Sequence, residues 1–383
     1  MHIAFVTSGL GAGGAEQVIA QLAEDALAHG HRVDVIAFDA PDARVYHRFP
    51  AGVHLVRLGK GSGLAGTISR ILALRRHLVG TRPQLVVSFL TKINLVAALA
   101  VLGTEARLVC AERNNPERQG AHPLWNRLLT RAYLRADAIV CQTDAVRRCF
   151  AASLHNRLVT IPNPVPVPQA STTANDLPVV CAVGRLTRQK GFDRLIAAFA
   201  AIAHKVPQWR LEIWGEGQER RALEQQIAES RMEGRIVLRG LSETPRGWIA
   251  EAGIFVLASR YEGFPNALAE AMAAGIPVIA TSCDFGPGEM IEQGRSGVLV
   301  DCREGEPDEA GLAAALVGLI GDPALRESLG SGAARAMQRY RAEQVLASWD
   351  TLFREVVAAR NVRPARGGGK IVPAMSRQAG DLR

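Results

Sequence analysis

The sequence predicts an α/β protein of two doubly wound domains, each a parallel sheet carrying helices on both faces. Three observations predict it. The chain has 383 residues, too many for one ordinary core and suited to two domains of roughly 150 to 200 residues. Short β-rich apolar runs alternate with helical stretches along its whole length, the pattern of a parallel sheet built from crossover units. A proline-rich stretch, Pro162-Asn163-Pro164-Val165-Pro166-Val167-Pro168, breaks that alternation near the middle and continues as a polar run to Pro178. Such a segment is extended and semi-rigid. The expected organisation is therefore a first domain at 1–165, a linker at 166–178 and a second domain at 179–342.

In order along the first domain, strands are expected at 2–7, 33–38, 85–89, 107–110, 138–142 and 158–161. Between the first strand and the first helix lies Gly9-Leu10-Gly11-Ala12-Gly13-Gly14, a literal G-x-G-x-x-G, and Asp39 ends the next strand. Alone, this is the dinucleotide fingerprint, and it keeps an NAD-dependent oxidoreductase open as a competing function. Glycines there have a second use, because backbone without Cβ approaches a diphosphate or an acceptor phosphate closely. In the second domain, strands are expected at 179–183, 211–214, 236–238, 254–258, 277–281 and 298–300. The architecture repeats although the sequence does not. The tail at 361–383, with its Gly367-Gly368-Gly369-Lys370 run, is expected to lack ordered structure.

Composition narrows the partners. Hydrophobic residues make up 48% and charged residues 21%, a core-forming chain rather than a disordered one. No run of eighteen apolar residues occurs, and the N-terminus starts directly as a strand without a signal-peptide pattern, so a cytoplasmic location is expected. The six cysteines show no C-x-x-C pair and read as reduced core thiols. Residues 1–170 hold 19 Lys and Arg against 11 Asp and Glu, whereas 171–383 hold 26 of each. All excess positive charge is thus N-terminal, fitting an anionic membrane surface or an anionic acceptor. No nucleic-acid-binding signature accompanies it.

The chemistry is concentrated in Gly184-Arg185-Leu186-Thr187-Arg188-Gln189-Lys190-Gly191 and Glu262-Gly263-Phe264-Pro265-Asn266-Ala267-Leu268-Ala269-Glu270. Arg185 follows an apolar strand and Lys190 precedes a helix, where free N–H groups and the helix dipole favour a phosphate. Glu262 and Glu270 flank a loop-to-helix junction and offer acceptors to sugar hydroxyls. Diphosphate plus polyols means a nucleotide sugar. As the sugar leaves, negative charge grows on the β-phosphate oxygen, and with no D-x-D motif in the chain, Arg185 and Lys190 are expected to stand in for a metal.

These motifs resemble the donor half of retaining GT-B glycosyltransferases of the family 4 type, the glycosyl transferases group 1, over about residues 1–357. The resemblance implies two Rossmann-like domains facing a cleft, with the last helix, 343–358, crossing back to the first domain. It implies transfer of a hexose or N-acetylhexosamine from a UDP-sugar, without metal or other cofactor, to a glycan or polyprenyl-diphosphate-linked acceptor in cell-surface polysaccharide synthesis. A GDP-mannose-dependent transferase, a sugar-nucleotide epimerase and a non-catalytic sugar-binding protein are the alternatives beside the oxidoreductase. Glu270 is then expected on the ribose hydroxyls. Glu262 with Phe264, Pro265, Asn266, Ala267 and Leu268 would line the donor sugar and phosphates, Gly240 and Leu241 the base, and Gly13 and Gly14 the donor from the first domain. Retention allows either a covalent intermediate on Glu262 or a same-face attack in which the leaving phosphate takes the acceptor's proton.

On the acceptor side, Asn94, Arg113 and Asn114 are the candidates. Arg113 and Asn114 stand where many family members hold a histidine, and His122 is a poor substitute. With Ser88-Phe89-Leu90-Thr91-Lys92-Ile93-Asn94, this stretch looks like the subset acting on polyprenyl-diphosphate glycans. Arg127, Arg131 and Arg135, and the cluster Arg70, Arg75, Arg76 and His77, suit peripheral docking on an anionic inner membrane leaflet.

Overall fold

Seven strands of the N-terminal part pair in parallel. They are β1 (His2–Thr7), β2 (Arg32–Ala37), β3 (His54–Arg57), β4 (Leu85–Phe89), β5 (Arg107–Ala111), β6 (Ala138–Cys141) and β7 (Leu158–Thr160), in the order β3-β2-β1-β4-β5-β6-β7. The structure, a computed structural model, describes residues 1–59, 61, 63–113, 123–166 and 177–359. Helices cover both faces of the sheet, so its inner strands are continuous apolar runs; all five residues of β4 are buried. β3 escaped the reading of strands from apolar runs because it is a half-exposed edge, with His54 and Leu55 open to solvent.

The second sheet comprises β8 (Val179–Val183), β9 (Arg210–Trp214), β10 (Ile236–Gly240), β11 (Ile254–Leu257), β12 (Val278–Thr281) and β13 (Val298–Val300), ordered β10-β9-β8-β11-β12-β13 and all parallel. A small antiparallel hairpin of β14 (Cys302–Arg303) and β15 (Glu306–Pro307) follows. It too was absent from the sequence reading, being two residues per strand.

Contacts divide the chain into Met1–Pro162 with the residues from Val345 onward, and Asn163–Gln344. The helix Ala342–Ala358 explains the discontinuity. Its buried residues Val345, Trp349, Leu352, Phe353 and Val356 recur at one-face helical spacing, and they enter the same core as β1, β4 and β5. Trp349 lies 6.2 Å from Phe89 and 5.5 Å from Phe353, ring centre to ring centre. The linker expected at 166–178 falls mostly, and the tail at 361–383 wholly, outside the described residues.

In each sheet the strand order reverses beside the first strand of its unit, between β1 and β4 and between β8 and β11. Connections leave in opposite directions at such a point, which opens a crevice at the carboxyl ends of the two strands.

All six cysteines are free thiols, four of them buried. Burial pushes the Cys110 thiol up to about 12, so it stays protonated and unreactive at neutral pH.

Candidate functional site

In the second unit, the loops after β8 and β11 meet at the strand-order reversal. Gly184, Arg185 and the rest of the first motif leave β8, make one 3₁₀ turn at Arg188–Lys190, and enter the helix Phe192–Ile202 through Gly191. That glycine has φ +63°, and a Cβ on it would stand 1.9 Å from the carbonyl oxygen of Ala258. Only glycine lets the loop cross so close over the end of β11. The Gln189 side-chain amide donates to the Tyr261 carbonyl at 2.9 Å, a second tie between the two loops.

Lys190 and Glu262 meet across this seam. Lys190 Nζ donates to Glu262 Oε1 at 2.6 Å, and Ser259 Oγ donates to the same oxygen at 2.6 Å. Glu262 is 5% exposed. Arg185 is exposed, and its guanidinium makes no hydrogen bond or ion pair with the described residues. The seam therefore carries one cation held in place and one free to move. An ammonium has three donors, so Lys190 keeps two for an anion while bound to Glu262.

The other donor-side residues are placed unevenly. Phe264 turns its ring into the core, edge-on to Tyr340 with centres 5.6 Å apart, and Leu268 is fully buried; only their backbones are available to a ligand. Pro265 caps the helix Asn266–Ala273, whose first-turn N–H groups, including that of Ala267, lack intrahelical partners as in any helix. The Asn266 side-chain oxygen accepts from Asn163 Nδ2 at 2.5 Å. Glu270, one turn in, is buried. Gly240 ends β10 with φ +77°, its carbonyl accepting the Gly215 N–H at 2.7 Å, and Leu241 beyond it is 51% exposed.

In the first unit, Gly13 caps the helix that starts at Gly14, and the Gly13 carbonyl meets His47 Nε2 at 3.2 Å. Asp39, the carboxylate that a dinucleotide reading would assign to ribose, is already engaged. Its Oδ2 accepts the Leu10 N–H at 2.9 Å and its Oδ1 the Arg57 Nε–H at 2.6 Å. It buttresses the glycine loop rather than facing a cofactor.

Two acceptor-side candidates lie in the interior. Asn94 is wholly buried; its amide oxygen accepts from Ser88 at 2.8 Å and its nitrogen donates to the Ala111 carbonyl and the Tyr133 hydroxyl. It belongs to the core because the helix Thr91–Ala100 is buried on nearly every side. Arg113 is also buried, its guanidinium 4.9 Å from the Phe89 ring centre and 5.6 Å from that of Trp349. Burial pulls it down to about 9. Asn114 and His122 lie outside the described residues. Among the docking cations, Arg70 stacks on Phe38 at 5.3 Å, Arg75 donates to the carbonyls of Ala100 and Leu102, and His77 meets the buried Asp34 at 3.3 Å. These three face inward. Arg76, Arg131 and Arg135 remain exposed.

Residues given no role from the sequence are Ser259, Asn163 and Glu112, the last, which begins the stretch expected to overhang the cleft, accepting from Thr91 and, at 2.6 Å, from Tyr133. Each is a polar residue at or just past the end of an apolar run, a signal the sequence carried. Among the described residues, no group of three or more His, Cys, Asp or Glu side chains is arranged to hold a metal ion.

Residues 12–168 match the family model described as Glycosyltransferase Family 4, and residues 177–322 the model described as Glycosyl transferases group 1. Over 232 residues the chain is 34% identical to an exopolysaccharide phosphotransferase of Streptomyces coelicolor, covering 59% of this chain but only 24% of that protein. It is 24% identical over 368 residues, 93% of this chain and 99% of the other, to a GalNAc-alpha-(1->4)-GalNAc-alpha-(1->3)-diNAcBac-PP-undecaprenol alpha-1,4-N-acetyl-D-galactosaminyltransferase of Campylobacter jejuni. Among solved structures, Anabaena HepE in complex with UDP and glucose superposes with a TM-score of 0.78 at 20% identity, covering 92% of this chain and 99% of that one.

Proposed function

The chain belongs to the group 1, family 4 glycosyltransferases, and from that premise we propose that it transfers a hexose or N-acetylhexosamine from a UDP-sugar to a glycan or polyprenyl-diphosphate-linked acceptor during cell-surface polysaccharide assembly. Transfer retains the anomeric configuration and needs no metal ion. The observation that carries this reading is the Lys190–Glu262 pair at 2.6 Å, at the carboxyl ends of β8 and β11, with the exposed Arg185 in the same loop after β8. The relatives that act on exopolysaccharide and on undecaprenyl-linked glycans support the acceptor class, and the HepE complex with UDP supports a uridine nucleotide as the donor carrier.

The chemistry follows from the charges. The bond from the anomeric carbon to the β-phosphate oxygen breaks, and its electron pair stays on that oxygen. Arg185 and Lys190 neutralise the growing charge, the first as a planar fork and the second as a point charge. The acceptor oxygen bonds to the anomeric carbon on the face being vacated, and its proton passes to the departing phosphate. Glu262 is a poor nucleophile for the covalent alternative, because its Oε1 already accepts from both Lys190 and Ser259. Those two donors withdraw the electron density that attack on carbon would need, which favours the same-face route. Glu262 instead fixes Lys190 and offers its remaining lone pairs to sugar hydroxyls, while Glu270 takes the ribose.

Lys190→Ala removes one donor placed in advance for the leaving group, and turnover is expected to fall about 10² to 10³-fold. Release of UDP from UDP-N-acetylgalactosamine and UDP-glucose, with and without EDTA, reads both claims. Full turnover in the variant would end the leaving-group assignment, and loss of wild-type turnover with EDTA would end metal independence.

We extend the proposal to peripheral docking of the first unit on an anionic leaflet. Among the described residues no helix is long and apolar enough to cross a membrane. On the helix Gly63–Thr81, however, Ile68, Leu72 and Val79 are 53%, 58% and 53% exposed on one face, beside Arg76.

A further inference from the structure

Arg260 ties together three segments that are distant in sequence. It follows β11, two residues before Glu262, and is 8% exposed. Its guanidinium takes both oxygens of Asp193, at 2.9 and 2.7 Å, and reaches Glu306 Oε2 from Nε at 2.8 Å. Its NH1 also donates to the Arg188 carbonyl at 2.6 Å, and its own backbone N–H donates to the Gln189 carbonyl at 2.8 Å. Arg188 and Gln189 are the two residues before Lys190. One side chain thus holds the turn that presents Lys190, the helix that follows it through Asp193, and the β14–β15 hairpin through Glu306.

None of these contacts reaches the Lys190–Glu262 pair itself, yet those to the Arg188 and Gln189 carbonyls fix the backbone just before Lys190 from a residue two before Glu262. We infer that Arg260, braced by Asp193 and Glu306, is a positioning residue for the diphosphate site: it sets the distance between Lys190 and Glu262 and so aims the ammonium at the phosphates. This rests on the proposed function, since it gives a nucleoside diphosphate as the ligand being positioned for. A lysine at 260 keeps the charge but not the fork, because an ammonium cannot hold both Asp193 oxygens, Glu306 and a carbonyl in one plane.

The test is a binding cycle on the full chain, using calorimetry with UDP and with uridine. Arg260→Lys is expected to weaken UDP about tenfold, as does loss of a charge-assisted contact, and to leave uridine unchanged, since uridine has no phosphate for Lys190 to meet. Lys190→Ala is expected to weaken UDP at least as much, and the double variant no further than Lys190→Ala alone, because Arg260 acts through Lys190. Glu306→Gln, which keeps the Asp193 fork, carries the same cycle with a smaller loss if Arg260→Lys does not fold. If the wild type prefers GDP, the comparison is run with GDP and guanosine. Unchanged UDP affinity in both brace variants, equal losses for UDP and uridine, or losses that multiply in the double variant would each overturn the inference. A Lys190→Ala variant that binds UDP like the wild type would instead overturn the donor-site reading beneath it.

Discussion

At the scale of single residues, the donor motif could be read from the chain because each of its two halves is a short contiguous run of residues, although its cation and carboxylate lie 72 residues apart. Gly191 needs a positive φ, Lys190 precedes it, and Glu262 and Glu270 bracket one helix start. What could not be read was how these groups are braced. Arg260 and Glu306 are separated by 46 residues, and the hairpin that carries Glu306 is too short to leave a periodic trace. Asn94 and Arg113 show another limit: the sequence places polar residues beside strand ends, and only the structure reveals that they are buried, with hydrogen bonds and ring contacts inside the first unit. The brace also has a pH signature. The Arg260 guanidinium holds the Glu306 carboxyl down from its ordinary 4.5 to about 2. A depressed carboxylate contributes stability that is fully present above its unfolded value and is lost as pH falls through the folded one. Acid unfolding followed by circular dichroism should therefore lose this contribution between about pH 4.5 and 2, and Glu306→Gln should flatten the curve in that window. An unchanged acid limb in the variant would mean that the carboxylate contributes nothing to stability.

Among the elements, the C-terminal helix carries the most consequence for its length. Its one-face spacing could be read in advance, whereas its fit to the first core could not, because Trp349 meets Phe89, and Phe353 one turn on meets Phe5, from two strands distant in the chain. Trp349 is fully buried, and replacing so large a ring leaves a cavity that surrounding side chains only partly fill. Trp349→Ala is expected to cost about 3 to 5 kcal/mol, read as a lower urea midpoint. The loss should appear in exchange protection of the first unit, since the second unit has its own core of Val180, Leu195, Phe199, Ile213 and Leu316. Equal loss of protection in both units would show that they unfold together rather than singly. The inner strands were legible for a simpler reason: a strand covered on both faces is apolar throughout, while the edge strand β3 mixes His54 and Arg57 with two apolar residues and gives no such run.

For the molecule as a whole, charge is the property with a distant effect. The excess of eight positive charges lies within residues 1–170, but the fold decides which of them meet a partner. Arg70, Arg75 and His77 turn toward the protein, so the proposed docking would draw on the exposed Arg76, Arg131 and Arg135 and on the exposed Ile68, Leu72 and Val79. Each cation near an anionic leaflet contributes about 1 kcal/mol, and the field decays within about 10 Å at 0.1 M salt. Changing the three arginines to Gln should thus lower partitioning onto phosphatidylglycerol vesicles by about 10²-fold, while UDP affinity stays at the wild-type value because the donor loops belong to the other sheet. Replacing Leu72 with Ser should weaken binding at every salt concentration, whereas the arginine changes should matter only at low salt; the two terms are separable in that way. Co-sedimentation that is equal on phosphatidylglycerol and phosphatidylcholine vesicles, and indifferent to salt, would leave the basic first half to an anionic acceptor instead of a membrane surface.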